Sequence, residues 1–254
     1  MSIRPKKSLG QHFLKDAATA EQIVSFLSPN AKHILEIGPG KGILTQFLFQ
    51  RKNSEVKIIE IDNEAIQHLL KIFPEKKENI LEGDFLETDL QNIFPKEFSI
   101  IGNFPYNIST QIVFRVLANK DRVEEVIGMF QKEVAERIVS PPGNRDYGIL
   151  SVFVQAFYDA EIVLTLNEEE FSPPPKVKSA VIRIRRNAKN KLMSDEKIFF
   201  RVVKTAFNQR RKKLSNALSA LIPKNNSAKF PYLDLRAEAL NWKQFDELAF
   251  LLSQ

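Results

Sequence analysis

The chain has 254 residues, 43% hydrophobic and 27% charged, which suits one large globular domain or a domain with a small appendage. No window nears the ~18 uncharged apolar residues of a membrane span, no apolar signal segment follows the basic N-terminus, and the absence of cysteine excludes disulfides and thiolate-bound zinc; a cytoplasmic protein is expected. The net charge is +6, yet fourteen Lys or Arg against Asp195 and Glu196 give Lys176–Lys213 a local +12, leaving −6 elsewhere, and cations so concentrated point to a polyanion, nucleic acid rather than membrane.

Short β-branched runs alternate with helical patterns through the first two thirds of the chain. Strands are predicted over His33–Ile37, Val56–Ile61, Asn79–Leu81, Ser99–Ile101 and Glu125–Phe130, with helices between them such as Ile43–Gln50 and Glu64–Ile72. Such alternation builds a mostly parallel sheet covered on both faces. Two further strands, Glu161–Leu166 and Ala180–Arg185, flank the Pro-rich bend Phe171-Ser-Pro-Pro-Pro-Lys176, so an antiparallel pair is expected at one side of the sheet. In the second of them Ile182 and Ile184 alternate with Arg183 and Arg185, the pattern of a half-buried strand.

After Arg186 only helical spacing remains. Ser194, with Asp195 and Glu196 in the first turn, reads as a cap ahead of Phe199, Val203, Ala206 and Phe207. Asn241 reads as the cap of a last helix with the apolar face Phe245, Leu248, Ala249 and Leu252. The expected division is an α/β domain over residues 1–186 and a small helical domain over 187–254.

Two motifs carry chemistry. Glu36-Ile-Gly-Pro-Gly-Lys-Gly42 follows the first strand and precedes a helix, where glycines let the backbone turn and let a ligand approach the main chain. Glu60 ends the next strand, where an acid can accept from ribose hydroxyls, and Asp84 follows the strand after that, where it can accept from an adenine amino group. These three features read an adenosine without separating a dinucleotide from S-adenosylmethionine. Ile43, standing where a dinucleotide fold places its third small residue, disfavours pyrophosphate.

Asn103-Phe104-Pro105-Tyr106 follows the fourth strand, at the same carboxyl edge of the sheet. An exocyclic adenine amine is a poor nucleophile because its lone pair is delocalised into the ring. Acceptors around its two hydrogens, the Asn103 side chain and a backbone carbonyl near Pro105, favour a more tetrahedral nitrogen, and Pro105 stiffens the turn. Tyr106 can stack on a base that has left its helix. Methyl transfer from a sulfonium needs alignment more than a strong base, so the lack of a candidate His is no obstacle. His12, His33 and His68 suggest no metal site.

In the helical tail, Arg210, Arg211, Lys212 and Lys213 are consecutive, and on a helix they would point around the whole circumference. A helix terminus or a phosphate-covered surface suits them better, and they are the expected RNA contacts.

Read in order, Gln11-His-Phe-Leu14, Glu36–Gly42, Asn103-Phe-Pro-Tyr-Asn-Ile-Ser109, Phe130-Gln-Lys-Glu133, Phe171–Val177, Ala206–Leu214 and Arg236-Ala-Glu238 resemble the KsgA-type small-subunit rRNA adenine dimethyltransferases over nearly the whole chain. The resemblance implies a class I, Rossmann-like methyltransferase sheet of seven strands with a small all-helical C-terminal domain. It also implies S-adenosylmethionine as cofactor and dimethylation of two adjacent adenosines near the 3′ end of small-subunit rRNA, in the pre-ribosomal small subunit, by a monomer. His12, Leu14, Gly38, Glu60, Asp84 and Asn103 would then line the cofactor, with Asn103, Pro105 and Tyr106 at the reacting base. His12 stands where many members have Asn, Phe104 where many have Leu, and Lys178 where an acid is common. A related large-subunit rRNA methyltransferase of the antibiotic-resistance type, a non-catalytic RNA-binding factor on the same fold and a dehydrogenase are the competing readings.

Overall fold

The computed structural model describes residues 3–222 and 229–254. In chain order, a two-residue strand β1 (Phe13–Leu14) precedes α1 (Ala17–Ser25), β2 (His33–Ile37), α2 (Thr45–Leu48), β3 (Glu55–Glu60), α3 (Asn63–Ile72) and β4 (Ile80–Glu82). Next come β5 (Phe98–Asn103), α4 (Ser109–Ala118), β6 (Val123–Gln131), α5 (Lys132–Val139) and α6 (Ile149–Phe157). Three strands, β7 (Tyr158–Leu166), β8 (Phe171–Ser172) and β9 (Ser179–Arg186), have no α-helix between them, and α7 (Glu196–Asn208), α8 (Leu214–Ala217) and α9 (Trp242–Leu251) follow. No helix of the described residues is long and apolar enough to cross a membrane.

Two compact units form, Met1–Ala135 with Glu161–Arg186, and Glu136–Ala160 with Asn187–Gln254. The seven-stranded sheet has the order β4-β3-β2-β5-β6-β9-β7. Its first five strands are parallel, and β9 runs antiparallel to β6. The central strands β2 and β5 are buried along almost their whole length, as strands covered on both faces must be. Chain order diverges between β2 and β5, so the loops leaving their carboxyl ends open a crevice there, the usual ligand position in such sheets. The Gly-rich loop leaves β2 and the Asn103–Tyr106 turn leaves β5.

All seven predicted strands are present, with no end shifted by more than three residues and His33–Ile37 matched at both ends. The two late strands lie at one margin, β9 inside and β7 at the edge. The alternation expected in β9 holds only from Ile182 onward, because Ala180 and Val181 are buried as well. The helix expected over Ile43–Gln50 shrinks to α2: Phe47 N bonds Leu44 O, Gln50 N bonds Phe47 O and Arg51 N bonds Leu48 O, three-residue steps that tighten the segment into turns.

In the second unit α6 is buried nearly all round, and Phe153 meets the rings of Phe199 and Phe200 on α7. That apolar circumference explains why residues 136–160, expected in the α/β domain, group with the C-terminal helices. The cap of α7 is Asp195, whose Oδ1 accepts from the N–H groups of Lys197 and Ile198. Ser194 is engaged elsewhere: its amide and hydroxyl both donate to Asp246, which is buried. Asn241 caps α9 as expected, in a reciprocal box with Gln244.

Candidate functional site

The loop after β2 begins as an extension of the sheet, with Gly38 N–H donating to Ile59 O at 3.0 Å. Gly40 has φ +55°, and a Cβ there would lie 2.7 Å from Phe13 Cε1, so both backbone and space demand glycine. Gly38 faces open space instead, which leaves its main chain accessible to a ligand. Beneath the loop, Glu36 is 1% exposed and accepts from Thr45 Oγ1 at 2.7 Å. Burial pushes its carboxyl up to about 8 against the Thr45 bond, and nearby Glu60 adds to the rise.

Glu60 closes the loop from the other side. Its Oε2 accepts from Gly40 N–H at 3.0 Å, and its Oε1 accepts from Ile61 and Asp62 N–H at 2.9 Å each. Burial nonetheless leaves its carboxyl above the usual range. Three of a carboxylate's ~four acceptor positions are thus taken, and one remains on Oε2 for a ligand hydroxyl, where the sequence predicted room for both ribose hydroxyls. Asp84 is half-buried; Oδ1 accepts from Leu86 N–H at 2.8 Å, while Oδ2 has no partner among the described residues. Ile61, 52% exposed, and Leu86 supply apolar surface between the two acids, suited to a purine ring.

The Asn103–Tyr106 turn is seated by Phe104, which is 1% exposed. Its ring fits because neighbouring strands carry glycine: a Cβ on Gly102 would lie 2.8 Å from Phe104 Cε1, and one on Gly128 2.5 Å from Cε2. Asn103 Nδ2 donates to the His12 carbonyl at 2.6 Å, which leaves Oδ1 as an acceptor with no partner among the described residues. Pro105 O is occupied by Ile108 N–H, closing the turn, so of the backbone carbonyls near Pro105 that of Phe104 is the one without a partner among the described residues. The Tyr106 hydroxyl shares a short hydrogen bond with Ser179 Oγ, and burial holds the phenol above its usual range. One face of its ring stacks on His12, centroids 5.4 Å apart, and His12 Nδ1 is 2.7 Å from Pro173 O.

One cleft brings together His12, Gly38, Glu60, Asp84, Asn103, Pro105 and Tyr106. Leu14 is apart from it, buried in the core and bordering an adjoining small cavity with Glu36, Gly38 and Asn103. Sequence reasoning missed Leu9, Gly10, Gln11, Phe13, Ile61, Leu86, Asn107 and Ile108 on the cleft wall. The N-terminal part of this wall carried no local signal, because the antiparallel pairing of β1 with β8, which draws the segment to the Pro-rich bend, joins residues far apart in sequence.

The basic run belongs to the second unit and follows the end of α7, so the terminus reading stands against the continuous helix. Its apparent shortage of acids is corrected by acids distant in sequence. Arg210 pairs with Glu238 at 2.9 Å and also donates to Arg145 O, and Lys213 pairs with Asp234 at 3.2 Å. Upstream, Arg183, Arg185 and Arg186 pair with Glu161, Glu125 and Glu97. Arg211 and Lys212 are exposed and have no ion pair among the described residues.

A model of the ribosomal RNA adenine dimethylase family matches residues 3–243. A Cytophaga hutchinsonii protein named Ribosomal RNA small subunit methyltransferase A is 51% identical over 99% of this chain and 98% of its own length. The protein of the same name from Porphyromonas gingivalis is 47% identical, covering 100% of both chains. Among solved structures, a dimethyladenosine transferase from Plasmodium falciparum has a TM-score of 0.79 at 24% identity, covering 95% of this chain and 97% of the other. The 23S rRNA methyltransferase ErmE has a TM-score of 0.72 at 24% identity, covering 95% and 100%. Both structural likenesses establish the fold, a Rossmann-like α/β sheet.

Proposed function

The chain belongs to the ribosomal RNA adenine dimethylase family, and from that premise we propose that it converts two adjacent adenosines near the 3′ end of small-subunit rRNA to N6,N6-dimethyladenosine, using S-adenosylmethionine. It does so as a cytoplasmic monomer on the assembling small subunit. The observation that carries this reading is the single cleft in which adenosine-reading acids and the Asn103–Tyr106 turn face the same space. The 47–51% identity to full-length relatives named for the small subunit favours that RNA over the large-subunit RNA named for ErmE.

The cleft residues fit the cofactor chemically. Gly38 leaves the main chain open, Glu60 keeps one acceptor, Asp84 offers Oδ2, and Ile61 with Leu86 gives a purine apolar walls. When bound, S-adenosylmethionine supplies an electrophilic methyl on a sulfonium. The protein's part is to prepare the adenine amine. Asn103 Oδ1 and Phe104 O accept its two hydrogens, which localises the nitrogen lone pair toward the methyl. Tyr106 holds the flipped base by stacking, and Pro105 keeps the turn rigid. The amine's acidity rises as the methyl arrives, so its proton can leave without a dedicated base. Arg211 and Lys212 contact RNA phosphates and position the enzyme without reading sequence.

Labelled S-adenosylmethionine offered with unmethylated small subunits, and separately with large subunits, tests the substrate. Label is expected in small-subunit RNA alone; label confined to large-subunit RNA would refute the assignment.

A further inference from the structure

Asp62 stands two residues beyond Glu60 and has no part in the chemistry above. Its side chain has 0% exposure, a costly place for a carboxylate unless it is partnered. Oδ1 accepts from Lys6 Nζ at 2.6 Å, and Oδ2 accepts from Gln11 Nε2 at 3.1 Å. Gln11 Oε1 in turn accepts from the backbone N–H of Lys6 at 2.9 Å, so the two ends of the 6–11 segment converge on one buried carboxylate. A second acid, Glu64, lies 3.2 Å from Lys6 Nζ. Burial opposes the Asp62 charge, but the Lys6 and Gln11 bonds leave its carboxyl below the usual range, and the Lys6 ammonium is raised by the same bond to Asp62.

What this clasp holds is the wall of the cleft. Leu9, Gly10, Gln11, His12 and Phe13, which lie inside or directly after the clasped segment, all face it. Gly10 packs so closely on Asn107 that a Cβ there would lie 2.7 Å from its Oδ1. The same Asp62 donates its N–H to Glu60 Oε1 at 2.9 Å, so one residue joins the N-terminal segment to the cofactor acid. A wall already fastened in place spares the ligand the cost of ordering it.

We propose that Asp62 is a positioning residue for the cofactor: clamped by Lys6 and Gln11, it fastens the N-terminal segment across the cleft in its binding-competent place. This rests on the cleft being the S-adenosylmethionine site. The residue also caps α3, accepting from Glu64 N–H at 3.0 Å, so Asp62→Asn is the informative change because asparagine keeps a cap and loses the charge.

The test measures S-adenosylmethionine dissociation constants, KM and kcat for the full chain, together with amide exchange over residues 8–13 in the cofactor-free protein. Asp62→Asn and Lys6→Met should each raise Kd and KM by about three- to thirtyfold, in keeping with loss of a charge-assisted hydrogen bond, and speed exchange in that segment. kcat at saturating cofactor should stay within about twofold, the signature of lost ground-state binding. Lys6→Arg should restore affinity, and the double variant should be no worse than either single one. If Kd is unchanged in Asp62→Asn and Lys6→Met while Glu60→Ala weakens binding, the clasp is refuted and the cleft stands. If all three bind normally, the cleft assignment falls and the clasp with it. A lowered melting temperature with normal Kd would make Asp62 a helix cap only.

Discussion

Glu60 is where three backbone N–H groups converge on one carboxylate, with a single acceptor position left over. Glu60→Ala should weaken S-adenosylmethionine binding by about 1–3 kcal/mol, the usual cost of losing a charge-assisted hydrogen bond. Calorimetry on a variant shown to be folded checks this, and an unchanged constant would remove Glu60 from the site. Tyr106 has a different logic, because its ring and hydroxyl answer to different partners. Tyr106→Ala should slow single-turnover methylation by about tenfold to a hundredfold, the worth of base–aromatic stacking. Tyr106→Phe keeps the π-face and should retain most of the rate, while costing stability because buried Ser179 loses its partner. Asn103→Ala should be slower than either, since it removes an acceptor from the amine and frees the His12 carbonyl. A Phe variant as slow as the Ala variant would assign the catalytic role to the hydroxyl.

At the scale of elements, the end of β2 carries a buried acid whose titration reaches the whole fold. Glu36 titrates near 8 in the folded chain and near its ordinary 4.5 when unfolded, so between those values only the folded chain keeps the proton. Its contribution to stability is complete below 4.5 and is lost as pH rises through about 8. Glu36→Gln, which still accepts from Thr45, should flatten the fall in urea midpoint between pH 5 and pH 8; an equal fall in both proteins would contradict this. In the basic turn after α7, geometry divides four cations into two kinds. Arg211→Gln with Lys212→Gln should weaken RNA binding and flatten its salt dependence, because fewer counterions are released. Arg210→Gln should instead cost stability through its Glu238 and Arg145 bonds, and an unchanged salt slope in the first variant would make the whole run structural. This division was hidden in the sequence, where Glu238 and Asp234 lie far from the cations they neutralise. The strands were legible because burial on both faces favours apolar runs, interrupted only by Glu36 in Ile34–Ile37 and by Ser99 in Phe98–Ile101. Helix α2 was not, because turn and helix share the same apolar spacing over so short a stretch.

Across the whole molecule, the sequence located about half of the cleft, through two loops at the carboxyl ends of adjacent strands and the acids Glu60 and Asp84 beyond two others. It did not reveal the N-terminal wall, since Leu9–Phe13 reaches the cleft through contacts with Phe171–Ser172, Pro173, Asn103, Tyr106, Asn107 and Asp62, all distant in sequence. Nor did it place residues 136–160, whose apolar helix α6 reads equally well as a sheet-covering helix or as the centre of a bundle. The proposed activity joins all these scales, with one cleft to hold the methyl donor and to dimethylate a specific RNA. Its most direct test is mass-spectrometric mapping of small-subunit rRNA after reaction of unmethylated subunits with the protein and with its Asn103→Ala variant. Two adjacent N6,N6-dimethyladenosines near the 3′ end, formed by the native protein and largely missing with the variant, are the predicted result. Methylation at another base, or an equal yield from the variant, would contradict the account.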